Sequence, residues 1–246
     1  MTARRAPDTV ATIDYDRARR HLMRRDPILR EAIRRIGPCG LGARQRTDHL
    51  TALVGSIVSQ QLSSKAAATI FRRVLALFPD DGLHASSLHR LDDDALRAAG
   101  LSSQKIGYLR DLCARILDGR LDLDALAALP DEGVIERLTE VKGFGRWTAQ
   151  MFLMFRLERP DVLPVDDLGI VRAVQRLYGL RRRPDAKRLT AIAEPWRPYR
   201  SVACWYLWQT LRNEPATVDG APSGAQGLTR ARALSATAAG PRRQSP

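Results

Sequence analysis

Two short stretches carry residues whose types and spacing could do chemistry. The first is Lys142-Gly143-Phe144-Gly145-Arg146. Two glycines around one apolar residue suit a tight turn, because glycine tolerates left-handed backbone angles and lets another backbone come close. Such a turn between two helices exposes main-chain N–H groups beside the start of the second helix. That is a ready phosphate site, to which Lys142 and Arg146 add charge. The same residues also suit a plain helical hairpin with a glycine turn.

The second stretch is Leu163-Pro164-Val165-Asp166-Asp167-Leu168. Pro164 keeps Leu163 extended. A helix then starts near Leu168, with Ile170, Val171, Val174 and Leu177 on its inner face. Asp167 falls at the N-cap and Asp166 one residue earlier. An ordinary capping Asp stabilises its helix by about 1 kcal/mol. It is also a fixed negative charge, some twenty residues beyond the glycine turn.

Other chemistry is thinner. Trp205, Tyr206 and Trp208 crowd one helix after Pro198, where a core reading is the stronger one for Trp205. Cys39, Cys113 and Cys204 lie far apart with no CxxC pair, which excludes a zinc knuckle or a four-cysteine iron–sulfur cluster. His21, His49, His84 and His89 are scattered. Asp92-Asp93-Asp94 reads as a helix N-terminus.

The elements that must position these residues are helices. Tyr15 to Arg35 reads as one or two helices broken near Asp26-Pro27, and Gly37 to Gly42 as a connector. From Thr47, residues Leu50, Leu53, Val54 and Ile57 fall at helix spacing, and Gln61 continues the stripe. Ser63-Ser64 can cap a helix that buries Ala67, Ile70, Phe71, Val74 and Phe78. Helices over Asp92 to Ala99 and Ser102 to Asp118 each end at a glycine, and Asp122 to Leu129 suits another short one. Val134, Leu138 and Val141 stripe the helix before the glycine turn, and Arg146 to Leu157 forms the apolar helix after it. Nothing alternates as a half-buried strand must, so the fold class is all-α.

The whole chain fits this picture. Its 246 residues allow one domain or two small lobes, and 44% hydrophobic with 27% charged residues excludes wholesale disorder. Forty Lys and Arg against 27 Asp and Glu leave +13, which points to a polyanion such as nucleic acid, or to coding bias toward Ala and Arg. No apolar run approaches the ~18–20 residues of a membrane span. The opening MTARRAPDTV lacks the apolar stretch of a secretion signal. The expected compartment is therefore the cytoplasm, at the nucleoid. Residues 1–14 read as a flexible arm, and 216–246, rich in Ala, Gly, Pro and Arg, as a disordered basic tail.

Five stretches taken in order resemble the helix–hairpin–helix (HhH-GPD) DNA glycosylases, nearest the alkylated-base branch of 3-methyladenine DNA glycosylase II. They are Ile57-Val58-Ser59-Gln60-Gln61-Leu62-Ser63, Gly100-Leu101-Ser102 with Lys105, Lys142 to Ala149, Leu163 to Asp167, and Trp196-Arg197-Pro198-Tyr199-Arg200-Ser201. The resemblance covers about residues 15–215. It implies two helical lobes with the active-site cleft between them, one over about 48–130 and the other, holding the hairpin, over 15–47 and 131–215. It implies a monofunctional enzyme that flips and hydrolytically excises alkylated purines from double-stranded DNA. It makes Asp167 the catalytic carboxylate and puts Trp147 where lyase-active members carry a nucleophilic lysine. Trp208, Trp147 and Met151 fall in the base pocket, Met151 standing where that branch has an aromatic. The wedge that fills the gap left by the flipped base falls at Gln61, with Gln60 and Leu62 beside it. Lys142, Gly143, Phe144, Gly145, Arg146, Thr148 and Lys105 would contact the DNA backbone. Main-chain oxygens of Thr139, Val141 and Phe144 would hold a monovalent cation. No cofactor is implied for the chemistry, and the expected state is a monomer. Excision of deaminated or other damaged bases, and a catalytically silent DNA-binding module, are the alternatives.

Overall fold

The computed structural model describes residues 13–44, 47–78 and 82–212. The arm expected at 1–14, apart from Ile13 and Asp14, and the tail at 216–246 lie outside the described residues. Twelve α-helices and no strand occur among the described residues. The chain divides into two compact units. The first draws its described residues from the segment up to Arg46, from Asp122–Thr139 and from Gly145 onward; the second from Thr47–Leu121 and Glu140–Phe144.

In the first unit, α1 (Tyr15–Arg25) and α2 (Pro27–Ile36) meet at Asp26. Its carboxylate is buried and accepts the N–H groups of Ile28 (3.0 Å) and Leu29 (2.9 Å), as an N-cap does. It also accepts the Trp196 indole N–H at 2.7 Å and the Tyr178 hydroxyl. One acidic side chain thus joins three segments, and its burial is tolerable because every direction meets a donor. The same unit holds α8 (Asp131–Thr139), α9 (Arg146–Phe155), α10 (Leu168–Leu177), α11 (Ala186–Ala193) and α12 (Arg200–Arg212). Residues Ser201 to Trp208 of α12 are all buried, so this helix is the unit's core, packed against α10, α2 and α1.

The second unit is built on α3 (His49–Ser59), α4 (Ser64–Leu75), α5 (Ala85–Arg90), α6 (Asp93–Ala98) and α7 (Ser103–Leu117). Helix α7 packs against α3, α5 and α6. Side-chain caps fix the starts: Asp48 accepts Thr51 N–H, Ser63 accepts Ala66 N–H, and Ser102 accepts Lys105 N–H.

Three expectations are corrected. Asp122 to Leu129 does not make an α-helix; only Ala125–Ala128 forms a 3-10 turn. The Arg159 guanidinium takes the carbonyls of Ala127 and Leu129, each at 2.8 Å, so those oxygens need no helical donor. Asp122–Thr139 belongs to the first unit, as does Arg159. Gln61 does not continue the α3 stripe: the helix ends at Ser59, Gln60 is extended at ψ 133°, and Gln61 turns left-handed at φ +57°. Of the apolar face expected on α4, Ala67 and Val74 are buried, while Ile70, Phe71 and Phe78 are half-buried.

Candidate active site

The carboxylate of Asp167 accepts three donors at the start of a helix. It caps α10, accepting the Ile170 N–H at 2.8 Å on Oδ1. Two indoles also donate to it. Trp147 Nε1 lies 2.8 Å from Oδ2, and Trp208 Nε1 lies 3.0 Å from Oδ1. Trp147 sits in the first turn of α9 and Trp208 on α12, so three helices of one unit converge on the group. Donors from three directions fix its orientation. Asp167 is 6% exposed. Asp166, its neighbour, is exposed and has no hydrogen bond among the described residues. The structure therefore separates two carboxylates that sequence alone distinguished only by register.

The two tryptophans differ. Trp208 is buried at 5% exposure and stacks on Phe155 with centroids 5.7 Å apart. Trp147 is half-buried and leaves more ring open. Met151, one turn further along α9, is buried. Sequence reasoning missed Gly169. A Cβ there would meet Asp167 Oδ1 at 3.0 Å and the Trp208 ring at 3.1–3.2 Å. Glycine is what lets this indole and carboxylate close over the first turn of α10. Its signal was present: a glycine inside an amphipathic helix costs about 1 kcal/mol relative to Ala, so it needs a packing reason.

The glycine turn joins α8 to α9. Gly143 adopts φ +84°, and a Cβ would fall 2.3–2.7 Å from the Tyr108 ring. Backbone angle and contact both exclude a side chain at this position. Gly145 is different: a Cβ would meet nothing within 4 Å. Its own protein does not require glycine there, whereas a close external group would. The Lys142 N–H donates to Asp111 Oδ2 at 2.9 Å and the Phe144 N–H to Val141 O at 3.0 Å. Burial pushes the Asp111 carboxyl up, but the Lys142 N–H and the Arg115 guanidinium hold it below its ordinary value. Among the described residues, the N–H groups of Gly143 and Gly145 have no partner, and α9 starts without a side-chain cap. Those open donors and the helix dipole suit an anion.

The charged side chains expected to support this turn are not equivalent. Lys142 is exposed and its ammonium has no ion-pair partner among the described residues. Arg146 forms a two-pronged pair with Glu132 at 2.9 and 2.5 Å, both groups exposed. That pair holds the Glu132 carboxyl below its ordinary value. Thr148 is buried in the first turn of α9. Lys105 donates from Nζ to Val58 O at 2.7 Å and Gln60 O at 2.8 Å. Gln60 Nε2 donates to Gly143 O at 2.8 Å, Gln61 is exposed, and Leu62 is half-buried. The Val141 carbonyl accepts from Phe144. No cluster of three or more His, Cys, Asp or Glu able to hold a metal occurs among the described residues.

The chain is similar to known proteins. A family model described as "HhH-GPD superfamily base excision DNA repair protein" matches residues 54–198. DNA-3-methyladenine glycosylase 1 of Schizosaccharomyces pombe is 37% identical over 166 residues, covering 65% of this chain and 71% of that protein. The crystal structure of a DNA-3-methyladenine glycosidase from Bacillus halodurans is similar at 40% identity and TM-score 0.70, covering 81% of this chain and 90% of the other. The 3-methyladenine DNA glycosylase of S. pombe in complex with abasic DNA is similar at 31% identity and TM-score 0.71, covering 82% and 99%.

Proposed function

Because the chain belongs to the HhH-GPD superfamily of base excision DNA repair proteins, we propose that it excises alkylated purines from double-stranded DNA, with Asp167 as its one catalytic carboxylate. The observation that carries this reading is the carboxylate itself, fixed by Ile170 N–H and by the indoles of Trp147 and Trp208. A protein that only bound DNA would need this carboxylate as the cap of α10 and would not need two indoles from other helices turned onto it.

The chemistry asks for little else. A base inside a duplex is out of reach, so it must be extruded at a cost of a few kcal/mol. Breaking the N-glycosidic bond sends its electron pair to the base and leaves positive charge on the deoxyribose. Asp167 stabilises that charge and orients the water whose oxygen bonds to the sugar carbon. An N3- or N7-alkylated purine is already cationic and departs as a neutral base, so no second carboxylate has to protonate it. One water is consumed, its proton passing to Asp167 and then to solvent, and the reaction needs no cofactor. Trp147 has no amine, so no Schiff base with the sugar forms and the product is an intact abasic strand.

The other roles follow from the same reading. The N–H groups of Gly143 and Gly145, with Lys142 and Arg146, grip phosphate; Phe144 and Thr148 belong to the same turn and helix start. Gln61 enters the gap left by the extruded base, with Leu62 beside it. Trp147, Met151 and Trp208 line the pocket. Main-chain oxygens of Thr139, Val141 and Phe144 are neutral hard donors of the kind an alkali cation takes, and such an ion would brace the hairpin. No helix among the described residues is long and apolar enough to cross a membrane. The enzyme works as a monomer on nucleoid DNA in the cytoplasm.

The test is single-turnover excision from duplexes carrying 3-methyladenine, 7-methylguanine, hypoxanthine or 8-oxoguanine, by wild type and Asp167→Asn. Release of the methylated purines, lost in the variant, is the expected result. Release led by the neutral lesions would move the protein to another branch.

A further inference from the structure

The turn after α3 holds a residue in a conformation that side chains rarely adopt. Gln61 has φ +57°, is exposed, and its side chain has no hydrogen bond among the described residues. A non-glycine residue in this region is strained, and persists only where its surroundings over-determine it.

Two neighbours in the second unit supply that constraint. Lys105, on α7, donates to Val58 O at 2.7 Å and Gln60 O at 2.8 Å. The first is a last-turn carbonyl of α3, without a helical donor of its own, and the second belongs to the residue before Gln61. Burial lowers the pKa of this ammonium, so removing its two acceptors would leave a desolvated charge. Gln60 is held at both ends. Its carbonyl accepts Lys105, and its side-chain Nε2 donates to Gly143 O at 2.8 Å. Gly143 is itself fixed by its positive φ and by the Tyr108 ring. The chain of contacts therefore runs from α7 through the turn to the glycine turn.

We propose that Lys105 and Gln60 are positioning residues, which hold the turn so that Gln61 is presented ready to insert and moves as one piece with the phosphate-gripping glycine turn. This rests on the reading of Gln61 as the inserting side chain. It gives Lys105 a different task from contacting DNA phosphate, and it takes Gln60 out of the wedge. Insertion into an intact stack is where such pre-organisation matters, because the chain ordering is already done before the base leaves.

The experiment compares one lesion in three settings. 7-Methylguanine is placed opposite cytosine, opposite a mismatched thymine, and in single-stranded DNA, and single-turnover excision is measured for wild type, Lys105→Met, Lys105→Arg, Gln60→Ala and Gln61→Ala. A fluorescent base beside the lesion reports extrusion, and thermal melts report folding. Lys105→Met and Gln60→Ala should lose about tenfold or more opposite cytosine, where unpairing is most costly, and no more than about threefold in single strands. Lys105→Arg, which keeps donors, should recover part of the loss. Adding Lys105→Met to Gln61→Ala should cause little further loss, since residues that act through one another are non-additive. The log–log salt slope of duplex binding should be unchanged, whereas loss of a phosphate contact would lower it by about 0.9. Equal loss in all three settings, full additivity, or a lowered slope overturns the proposal. If Lys105→Met melts near room temperature, Gln60→Ala and Lys105→Arg decide on the same criteria. A Gln61→Ala enzyme indifferent to pairing overturns the wedge reading instead, and Asp167→Asn, inactive in every setting, separates both from failure of the catalytic assignment.

Discussion

The indole nitrogen of Trp147 lies 2.8 Å from Oδ2 of Asp167. This distance ties together two positions that sequence could only place twenty residues apart. A lysine at 147 would bring an amine toward the sugar. The indole instead donates a hydrogen bond and helps fix a carboxylate. Trp208 does the same from another helix at 3.0 Å, so each carboxylate oxygen faces one indole. The two indoles hold the Asp167 carboxylate in one orientation, as the proposed stabilisation of a developing sugar cation requires.

Asp167→Asn retains an oxygen for the Ile170 N–H but turns an amide N–H₂ toward an indole donor. Excision should fall by about 10²-fold or more, the range seen when charge stabilisation or general-base help is removed. Binding to an abasic duplex should persist. Asp166→Asn, at an exposed residue without hydrogen bonds, should leave the rate within about twofold, since surface substitutions away from such features do little. Single-turnover rates on a methylated duplex check both, and the opposite ranking would move the assignment to Asp166.

Products should be intact abasic strands that break only after alkali or heat, because no amine stands at position 147. Treatment with borohydride should trap no covalent protein–DNA adduct. A trapped adduct would refute the monofunctional mechanism.

On the proposed reading of Arg146 as a phosphate contact, Glu132 is its competitor. Their pair is exposed, so its own contribution to stability is about 0–1 kcal/mol. Glu132→Gln should leave the melting temperature nearly unchanged and tighten duplex binding at every sequence. Arg146→Ala or Lys142→Ala should weaken binding and lower the log–log salt slope by about one. Fluorescence anisotropy across a salt series measures all three. A loss confined to lesion-bearing duplexes would place that residue in the base pocket.

Gly169→Ala puts a methyl 3.0 Å from Asp167 Oδ1 and 3.1 Å from Trp208 Cδ1. Alanine favours the helix by about 1 kcal/mol, which offsets strain in stability but not in placement. Excision should drop by about tenfold or more while the fold holds, because small displacements of a catalytic group are expensive in rate. Circular dichroism melts beside rate measurements check it, and a fully active variant would show that the carboxylate tolerates the shift.

Much of this was legible in the residue types. Asp26-Pro27 marked the break between α1 and α2, since a capping Asp and a Pro at the first helical position both start a helix. Asp167 as the cap of α10 was legible for the same reason. What sequence could not give was tertiary. Asp26 gathers Tyr178 and Trp196 from more than 150 residues away, and no local pattern encodes that. Lys105 looked like any basic residue near a DNA-binding motif, but two carbonyls occupy it. α5 and α11 were missed because six and eight residues are too short to show a helical period. Gln61 was extrapolated from a stripe that the chain abandons at Ser59.

Selectivity for cationic bases should follow Trp147 more than Trp208. Both indole N–H groups are committed to Asp167, so what remains for a base is ring face. Trp208 is 5% exposed and stacked on Phe155, which covers one face. Trp147 is half-buried and keeps more of its ring open. Electron-rich faces attract cations by about 0.5–2 kcal/mol when partly desolvated. N3- and N7-methylated purines carry delocalised positive charge, and normal purines do not; the same charge weakens the glycosidic bond. Fast release of 3-methyladenine, slower release of 7-methylguanine, and little release of uracil or 8-oxoguanine are therefore expected. Trp147→Phe removes the N–H but keeps a ring, so it should slow all lesions alike. Trp147→Leu removes the ring as well, and should cost a further threefold to thirtyfold, or about 0.5–2 kcal/mol, on cationic lesions alone. Trp208→Ala opens a cavity beside Asp167 and removes one of the two donors to Oδ1, so its loss should be blind to lesion charge. Single-turnover excision of cationic and neutral lesions by the three variants, with circular dichroism as a folding control, decides the matter. Identical profiles for Trp147→Phe and Trp147→Leu would remove the ring-face argument and leave departure of the base as the sole origin of the preference.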